Sequence, residues 1–351
     1  MNTLVIEKQK MRHNLKMARQ RAKGALIYGV LKGDAYGLGL IETANLMRDE
    51  GVTRFAVGQP SEGAMLRRAG FQHEEILLLR STADPDEVDA LLDAGLVATI
   101  GSRDAALALS GLAERRGTVA EAHLKIDTGL GRYGFLPSEF DKIQSVFRYI
   151  SSLAISGVYT HINPYVGASA ARLQMEQFRA LLTQMQLHGL EPGVIHAAGS
   201  SALFRFDLPR LDAVRIGQAM TGILPSKGHG LQPVGFVECP ISEMRWLPKG
   251  YKTGSIEPYT CRRPTRIALL PVGLADGIQV GRIKRGGLFG LTFGNRSGAQ
   301  VWLGSEKVCA LGNVGLNHTI VDVTDLTCSI GDIAHIEADP LFCTRLSRQY
   351  I

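Results

Sequence analysis

The stretch ALIYGVLKGDAYGLGLIETANLMRDEGVTRFAVG fills residues 25–58. It opens on an apolar, β-branched run and passes through a glycine-rich turn. An amphipathic segment follows, stops at Gly51, and gives way to a second apolar run. Short apolar run, helical period, short apolar run is the pattern of a βαβ unit. Glycine just past the last periodic residue is the usual helix stop. Lys32 ends the first run. An ammonium leaves water only when paired or neutral, so this lysine either snorkels out at a strand end or is there to react.

The unit repeats. From 25 to 217 the candidate strands are ALIYGVLK, TRFAVG, EEILLLR, LVATIG, EAHLKIDT, LAISGVYTHI, GVIHAA and DAVRIG, with amphipathic segments such as PDEVDALLDAG and ARLQMEQFRALLTQMQLHG between them. Eight such units over roughly 200 residues predict a closed (β/α)8 barrel rather than an open doubly wound sheet. A helix, KQKMRHNLKMARQRA, precedes the first unit. After about Leu231 the helical period fades, and short β-like runs appear between Gly, Pro and Asn turns: EMRWL, TRIALLPVG, AQVWLG, EKVCALG, HTIVDVT and DIAHIEAD. The expected organisation is a barrel over 1–230 and an all-β domain over 231–351.

Composition narrows the class. The 351 residues are 45% hydrophobic and 21% charged, an ordinary globular balance. No apolar run approaches the roughly 20 residues of a membrane helix, and the N-terminus lacks a signal-peptide pattern. A cytoplasmic protein is expected, with no membrane partner. Five cysteines (Cys239, Cys261, Cys309, Cys328 and Cys343) form no CxxC pair. Neither a zinc site nor a disulfide framework is suggested, and free thiols fit a reducing compartment. The formal charge is +6, but the basic residues are spread along the chain. RRPTR and RIKR read as solvated loops rather than a nucleic-acid stripe.

In such barrels the active site lies at the C-terminal ends of the strands. Those ends carry Lys32, then Lys125 and Asp127 with Arg132 beyond them, His161, His196 with Ser200 in the following loop, and Arg215 with Gly217 next. Any one of these residues taken alone could cap a strand or meet solvent. Their recurrence at one end of the barrel makes a cationic ring suited to an anionic ligand. HAAGSSALF places small residues and Ser hydroxyls at a helix start, which suits a phosphate. A reactive lysine beside a phosphate cradle suggests pyridoxal 5′-phosphate (PLP), with nearby cations and burial favouring the neutral amine.

A family resemblance follows from these motifs. VLKGDAYGLG resembles the PLP-attachment motif of alanine racemases, and LKIDTGLGRYGF resembles their KxDTGMGRxGF. HAAGSSA, DAVRIGQAMTG, VGLADG, VCALGNVGLNHTIVDVTDL and the terminal TRLSRQYI are similar, in order, to further family motifs. The resemblance implies a PLP barrel plus a C-terminal β domain, in a homodimer with shared active sites. It implies Lys32 as the Schiff-base lysine and one base. Tyr36, Ser200, Tyr350 and N–H groups near Gly217 and Gln218 would contact the phosphate, and His161 would stack near the pyridine ring. Arg215 would donate to the pyridine nitrogen, Arg132 would bind the substrate carboxylate, and Lys125, often carbamylated in the family, would orient that arginine. The partner side would contribute Leu316 and the position of Leu274.

The departures cluster at the substrate side. The family's second base is the tyrosine of GYADG; here the position is Leu274, which carries no proton. The CMD motif becomes Gly315-Leu316-Asn317, Gly199 replaces an asparagine, Leu38 a histidine, and Gly33-Asp34 an Ala-Asn pair. Two-base racemisation needs a proton donor on each face of Cα. His318, Tyr251 or Asp276 are candidates to supply the missing one. The open readings are an amino-acid racemase or epimerase with an altered second base, a same-fold enzyme with one-face chemistry (aldolase, decarboxylase or Cα exchange), and a non-catalytic PLP-binding protein.

Overall fold

The chain starts with a strand, β1 (Thr3–Ile6), and a helix, α1 (Lys8–Ala22), the latter spanning the residues read as helical from sequence. The computed structural model describes residues 2–209, 211–226, 228–254, 258–278 and 300–351. Eight strands then alternate with helices. They are β2 (Leu26–Val30), β3 (Arg54–Val57), β4 (Glu75–Ser81), β5 (Val97–Ile100), β6 (Ala120–Lys125), β7 (Leu153–Tyr159), β8 (Val194–Gly199) and β9 (Ala213–Ile216). Each pairs in parallel with the next, and β9 returns to β2, closing the barrel. The helices are α2 (Leu40–Asp49), α3 (Pro60–Arg68), α4 (Pro85–Asp93), α5 (Arg103–Arg115), α6 (Phe140–Tyr149), α7 (Ala168–Leu187) and α8 (Ser200–Arg205).

Local chemistry sets where the helices begin. Asp84 accepts the Glu87 N–H at 3.0 Å and Ser102 accepts the Ala105 N–H at 3.2 Å. Each satisfies an N–H that the first helical turn leaves without a partner. Pro60 and Pro85 sit at the first helical position, where their fixed φ is already helical.

The barrel interior is unusually polar. On β2, Tyr28 and Val30 share one face, as strand alternation requires, and pack with Ala56, Leu77, Val97 and Ala213. Beside them lie His123 and His196, 1% and 0% exposed. Burial pushes the His123 imidazole down to about 3, and holds His196 well below its usual value, so both are neutral in the folded chain. An unfolded histidine with an ordinary pKa near 6.5 takes up the proton that the folded one refuses. Stability is therefore fully present above about pH 6.5 and falls as pH drops toward 3. The two histidines together should cost about 2 kcal/mol between pH 6.5 and 5.5. His161, described below, adds a similar increment; urea unfolding at those two pH values checks this, and His123→Gln should remove about 1 kcal/mol of the difference.

The remaining strands build a second unit: β10 (Gly235–Pro240), β11 (Glu243–Leu247), β12 (Lys252–Thr253), β13 (Tyr259–Thr260), β14 (Thr265–Leu270), β15 (Val301–Leu303), β16 (Glu306–Ala310), β17 (Thr319–Asp322), β18 (Ile333–Glu337) and β19 (Ser347–Tyr350). A nine-stranded sheet runs β11-β14-β17-β16-β15-β18-β10-β1-β19, with β12 and β13 as a separate pair. The compact units are Lys10–Gln232 on one side and Met1–Gln9 with Pro233–Ile351 on the other. The expected boundary at 230/231 falls two residues away, but residues 1–9 belong to the β unit rather than the barrel. The reason is pairing: β1 lies between β10 and β19, antiparallel to the first and parallel to the second.

Of the two basic clusters, RIKR (282–285) lies outside the described residues. RRPTR is only partly a loop. Arg266 is in β14 and donates to the Leu326 and Cys328 carbonyls, and Arg263 pairs with Asp325. The cysteines are unpaired. Among the described residues there is no group of His, Cys, Asp or Glu suited to a metal ion, and no helix long and apolar enough to cross a membrane.

Candidate active site

Lys32 follows Val30 by two residues at the C-terminal end of β2. The four residues after it, Gly33, Asp34, Ala35 and Tyr36, have φ of 64°, 54°, 54° and 58°. This is one turn of left-handed helix. For its three non-glycine residues the cost is of order 3–6 kcal/mol in total. Strain of this kind persists only where the surroundings over-determine it. Here they do. The Gly37 N–H reaches the Gly33 carbonyl at 3.1 Å, and Asp34 Oδ1 accepts the Leu40 N–H at 2.7 Å. Glu62 on α3 accepts the Gly33 N–H with one oxygen at 2.8 Å. Its other oxygen accepts the Gly58 and Gln59 N–H groups at 2.8 and 3.1 Å. One carboxylate thus ties the lysine turn to the end of β3.

A cavity of about 400 Å³ opens at the C-terminal mouth of the barrel. Lys32, Tyr36, Lys125, Arg132 and His161 line it. Ser200, Arg215, Gly217 and Gln218 also line it, whereas Asp127 and His196, read at the same strand ends, do not. Lys32 is exposed to this space, with its ammonium 5.9 Å from the Tyr36 ring centre. Desolvation by the cavity walls lowers its pKa. Arg132 and Arg215 push it further down, against the opposing charge of Glu62. Lys125 is buried, its ammonium 5.4 and 5.5 Å from the Tyr133 and Tyr159 ring centres. Burial first, then Arg132 and Arg215, lower it to about 8. Burial raises the Tyr36 phenol to about 12, so it stays a hydroxyl donor at neutral pH.

At the start of α8, Ser200 Oγ accepts the Gly217 and Ala219 N–H groups at 3.1 and 3.2 Å. Two backbone donors therefore converge where a small oxygen anion would bind. The Gln218 side chain accepts the Ser201 hydroxyl at 3.2 Å, and Ala219 contributes a further backbone donor. Position 217 admits no side chain: a Cβ there would lie 2.5 Å from Tyr36 Cε2. At Gly199 a Cβ would lie 2.8 Å from His161 Cε1, so the histidine ring occupies the room left by the missing side chain.

Arg215 is 3% exposed and donates to the Thr160 and Ala197 carbonyls, both at 2.8 Å, and to His161 Nδ1 at 3.0 Å. His161 is held well below its usual pKa by burial and then by Arg215, so it presents a neutral ring. Asp127 shapes the loop that carries Arg132. Its oxygens accept the N–H groups of Gly129, Leu130 and Arg132 at 2.8–2.9 Å.

The other expected residues lie in the β unit. Leu274 opens a 3-10 turn, Leu274–Asp276, and donates its N–H to the Gly315 carbonyl at 3.0 Å, while Ala275 donates to that of Leu316 at 2.9 Å. Leu274 and Leu316 are 46% and 65% exposed, so both present carbon outward. Asp276 accepts the Gly273 N–H at 3.0 Å, and the His318 ring packs over Gly315, where a Cβ would lie 2.7 Å from it. Tyr251 is exposed between β11 and β12, and Tyr350 ends β19. Sequence reasoning missed Glu62 and Ala219. Glu62 carried a readable signal, as the acidic residue three positions after a helix start at Gln59.

The fold and its mouth define a class: a (β/α)8 enzyme with an amine of lowered pKa, a buried arginine and an anion cradle in one cavity, the equipment of a PLP-dependent isomerase. Residues 6–225 match the alanine racemase N-terminal domain, and 235–340 match the alanine racemase C-terminal domain. The alanine racemase of Carboxydothermus hydrogenoformans is 35% identical over 277 residues, 77% of this chain and 74% of that protein. That of Methylacidiphilum infernorum is 32% identical over 333 residues, 94% and 81% of the two chains. Among solved structures, alanine racemase from D-cycloserine-producing Streptomyces lavendulae has a TM-score of 0.86 at 24% identity, covering 100% of this chain and 97% of that one. The Bartonella henselae alanine racemase with covalently bound pyridoxal phosphate has a TM-score of 0.81 at 22% identity, covering 100% and 99%. The chain belongs to the alanine racemase family.

Proposed function

We propose that this protein is a PLP-dependent racemase or epimerase of a small amino acid, with Lys32 as the cofactor-bearing lysine and one base, and an altered second base. The observation that carries the reading is the meeting of Lys32, Arg215 and the Ser200 cradle in one cavity. The residues fit the cofactor: the Gly217 and Ala219 N–H groups converge at Ser200 Oγ, the missing side chain at Gly217 lets Tyr36 pack against them, and the lysine amine has a lowered pKa. PLP, when bound, supplies the electron sink that stabilises a carbanion at the substrate Cα.

This chain's residues supply the rest. Tyr36, Ser200 and the N–H groups of Gly217 and Ala219 hold the phosphate, and the family pattern adds Gln218 and Tyr350. His161 packs against the pyridine ring. Arg215 can only donate, so it keeps the ring nitrogen unprotonated and weakens the sink. Arg132 holds the substrate carboxylate, and Lys125 holds Arg132 in line. Lys32 takes or returns the proton at Cα from one face.

A homodimer with shared active sites follows from the family pattern. In it, Leu274 and Leu316 of one copy face the other copy's barrel mouth. The exposed carbon at Leu274, Leu316 and Phe342 supports this, since such surface favours cover. A cytoplasmic location accords with five unpaired thiols.

Leu274 also favours a second reading, one-face chemistry such as retro-aldol cleavage, decarboxylation or Cα exchange. Incubation of alanine and a panel of other amino acids in deuterated water separates the two. Inversion of any one with deuterium uptake supports the racemase. Deuterium uptake without inversion, or release of an aldehyde or carbon dioxide, supports the second reading.

A further inference from the structure

A series of polar groups runs through the barrel from Arg215 to its opposite end. Arg215 Nη1 lies 2.6 Å from His196 Nδ1. His196 Nε2 lies 2.9 Å from His123 Nδ1. His123 Nε2 faces Glu75 Oε1 at 3.7 Å, longer than a direct hydrogen bond. Tyr28 donates its hydroxyl to that same oxygen, and Arg54 Nε approaches the other at 3.3 Å. Glu75 is the first residue of β4, so it sits at the end of the barrel away from the cavity, and its side chain is 25% exposed.

The series has one direction. A guanidinium only donates, and a neutral imidazole has one donor and one acceptor nitrogen. His196 Nδ1 must therefore accept from Arg215, which places its proton on Nε2. That proton goes to His123 Nδ1, so the His123 proton is on Nε2, facing Glu75. Neither ring is free to turn. His196 stacks on Tyr28 at 5.0 Å and on Tyr159 at 4.7 Å, and His123 meets both tyrosines edge-on. The far terminus decides the outcome. With no acceptor there, His123 could move its proton to Nδ1, where it would confront the His196 Nε2–H, and the conflict would pass on to Arg215. A carboxylate oxygen facing Nε2 favours the proton there and so disfavours that alternative.

We propose that Glu75 is a positioning residue which, with Tyr28 and through His123 and His196, fixes the orientation of Arg215 and so the electron demand of the cofactor ring. The proposal rests on the functional reading above, in which Arg215 faces the pyridine nitrogen. Neither Glu75 nor Tyr28 lines the cavity.

The test uses the full chain with histidine labelled with nitrogen-15. Without added PLP, the spectra of the wild type should show His123 and His196 both neutral and protonated on Nε2 at pH 7. Glu75→Gln keeps an acceptor oxygen and should keep both tautomers. Glu75→Ala should give a mixture at His123. With PLP added, the pH midpoint of the visible absorbance should move by about one unit in Glu75→Ala, and stay within about 0.2 unit in Glu75→Gln. For whichever substrate turns over, kcat should fall about tenfold in Glu75→Ala, with KM changed less than twofold. A merely structural role would lower the melting temperature and leave the tautomers and the absorbance midpoint alone. A wild-type proton on Nδ1 of either histidine overturns the proposal, and this measurement needs no variant to fold. So does a Glu75→Ala protein that titrates like the wild type. Failure of the wild type to develop any visible absorbance with PLP would instead reject the functional reading, while the tautomers still judge the series.

Discussion

Lys32→Ala is expected to leave the barrel folded and to abolish the visible absorbance of lysine-bound PLP, with turnover of any amino acid falling at least about 10³-fold. The fold should survive because Lys32 is exposed to the cavity rather than packed in the core. Its backbone turn is held by Glu62, Asp34 and the Leu31 carbonyl, none of which needs the amine. Chemistry should not survive, because attachment and proton transfer fall to the same nitrogen. The pH dependence of attachment gives a second check. Only the neutral amine forms the bond, so loading of the chain with PLP should speed up as pH rises through the lowered pKa of Lys32. Arg132→Gln removes one cation that lowers it, and should move that rise to higher pH. Absorbance spectra and circular dichroism of both variants measure these outcomes.

Leu274→Tyr should raise alanine racemisation by about 10²–10⁴-fold, the usual contribution of one positioned acid or base. Leu274 is 46% exposed on a short turn whose backbone is fixed by the Gly315 and Leu316 carbonyls, so a larger side chain meets no core. A gain of this size, read by chiral chromatography of the products, means that leucine is what limits inversion of alanine. No gain, with wild-type inversion of another amino acid, points to a proton donor elsewhere, for which His318, Tyr251 and Asp276 are the candidates read from sequence. Asp276 is already engaged with the Gly273 N–H. His318 packs over Gly315, whose missing side chain makes the room.

Much of this was legible in the residues. Most barrel strands were legible as apolar runs, because a parallel sheet buried on both faces favours continuous apolar sequence; β6, AEAHLK, was read despite its polar residues. The ring of Lys32, Lys125, His161 and Arg215 could be read because strand ends in a barrel share one mouth. β1 and β19 escaped notice for opposite reasons. TLVI is only four residues long, and SRQY has no apolar face; β1 is a strand because β10 and β19 both supply its hydrogen bonds, and β19 because β1 supplies its partners. The left-handed turn after Lys32 was hidden too, since Asp34, Ala35 and Tyr36 have no intrinsic preference for positive φ. His123 and His196 lie 73 residues apart, and only closure of the barrel brings their ring nitrogens within 2.9 Å. Glu75, at the far end of that series, carries no signal of its own in the sequence.

Two lysines line the cavity, and both have lowered pKa values. Their surroundings differ. Lys125 is 6% exposed, with its ammonium near two tyrosine rings, whereas Lys32 opens onto the space beside Arg215 and the Ser200 cradle. The direct measurement is to load the protein with PLP, reduce it with borohydride, digest it and locate the phosphopyridoxyl group by mass spectrometry. The group should be found on Lys32 and nowhere else. Finding it on Lys125, or finding no modified lysine in protein that has taken up the cofactor, would contradict the assignment of Lys32.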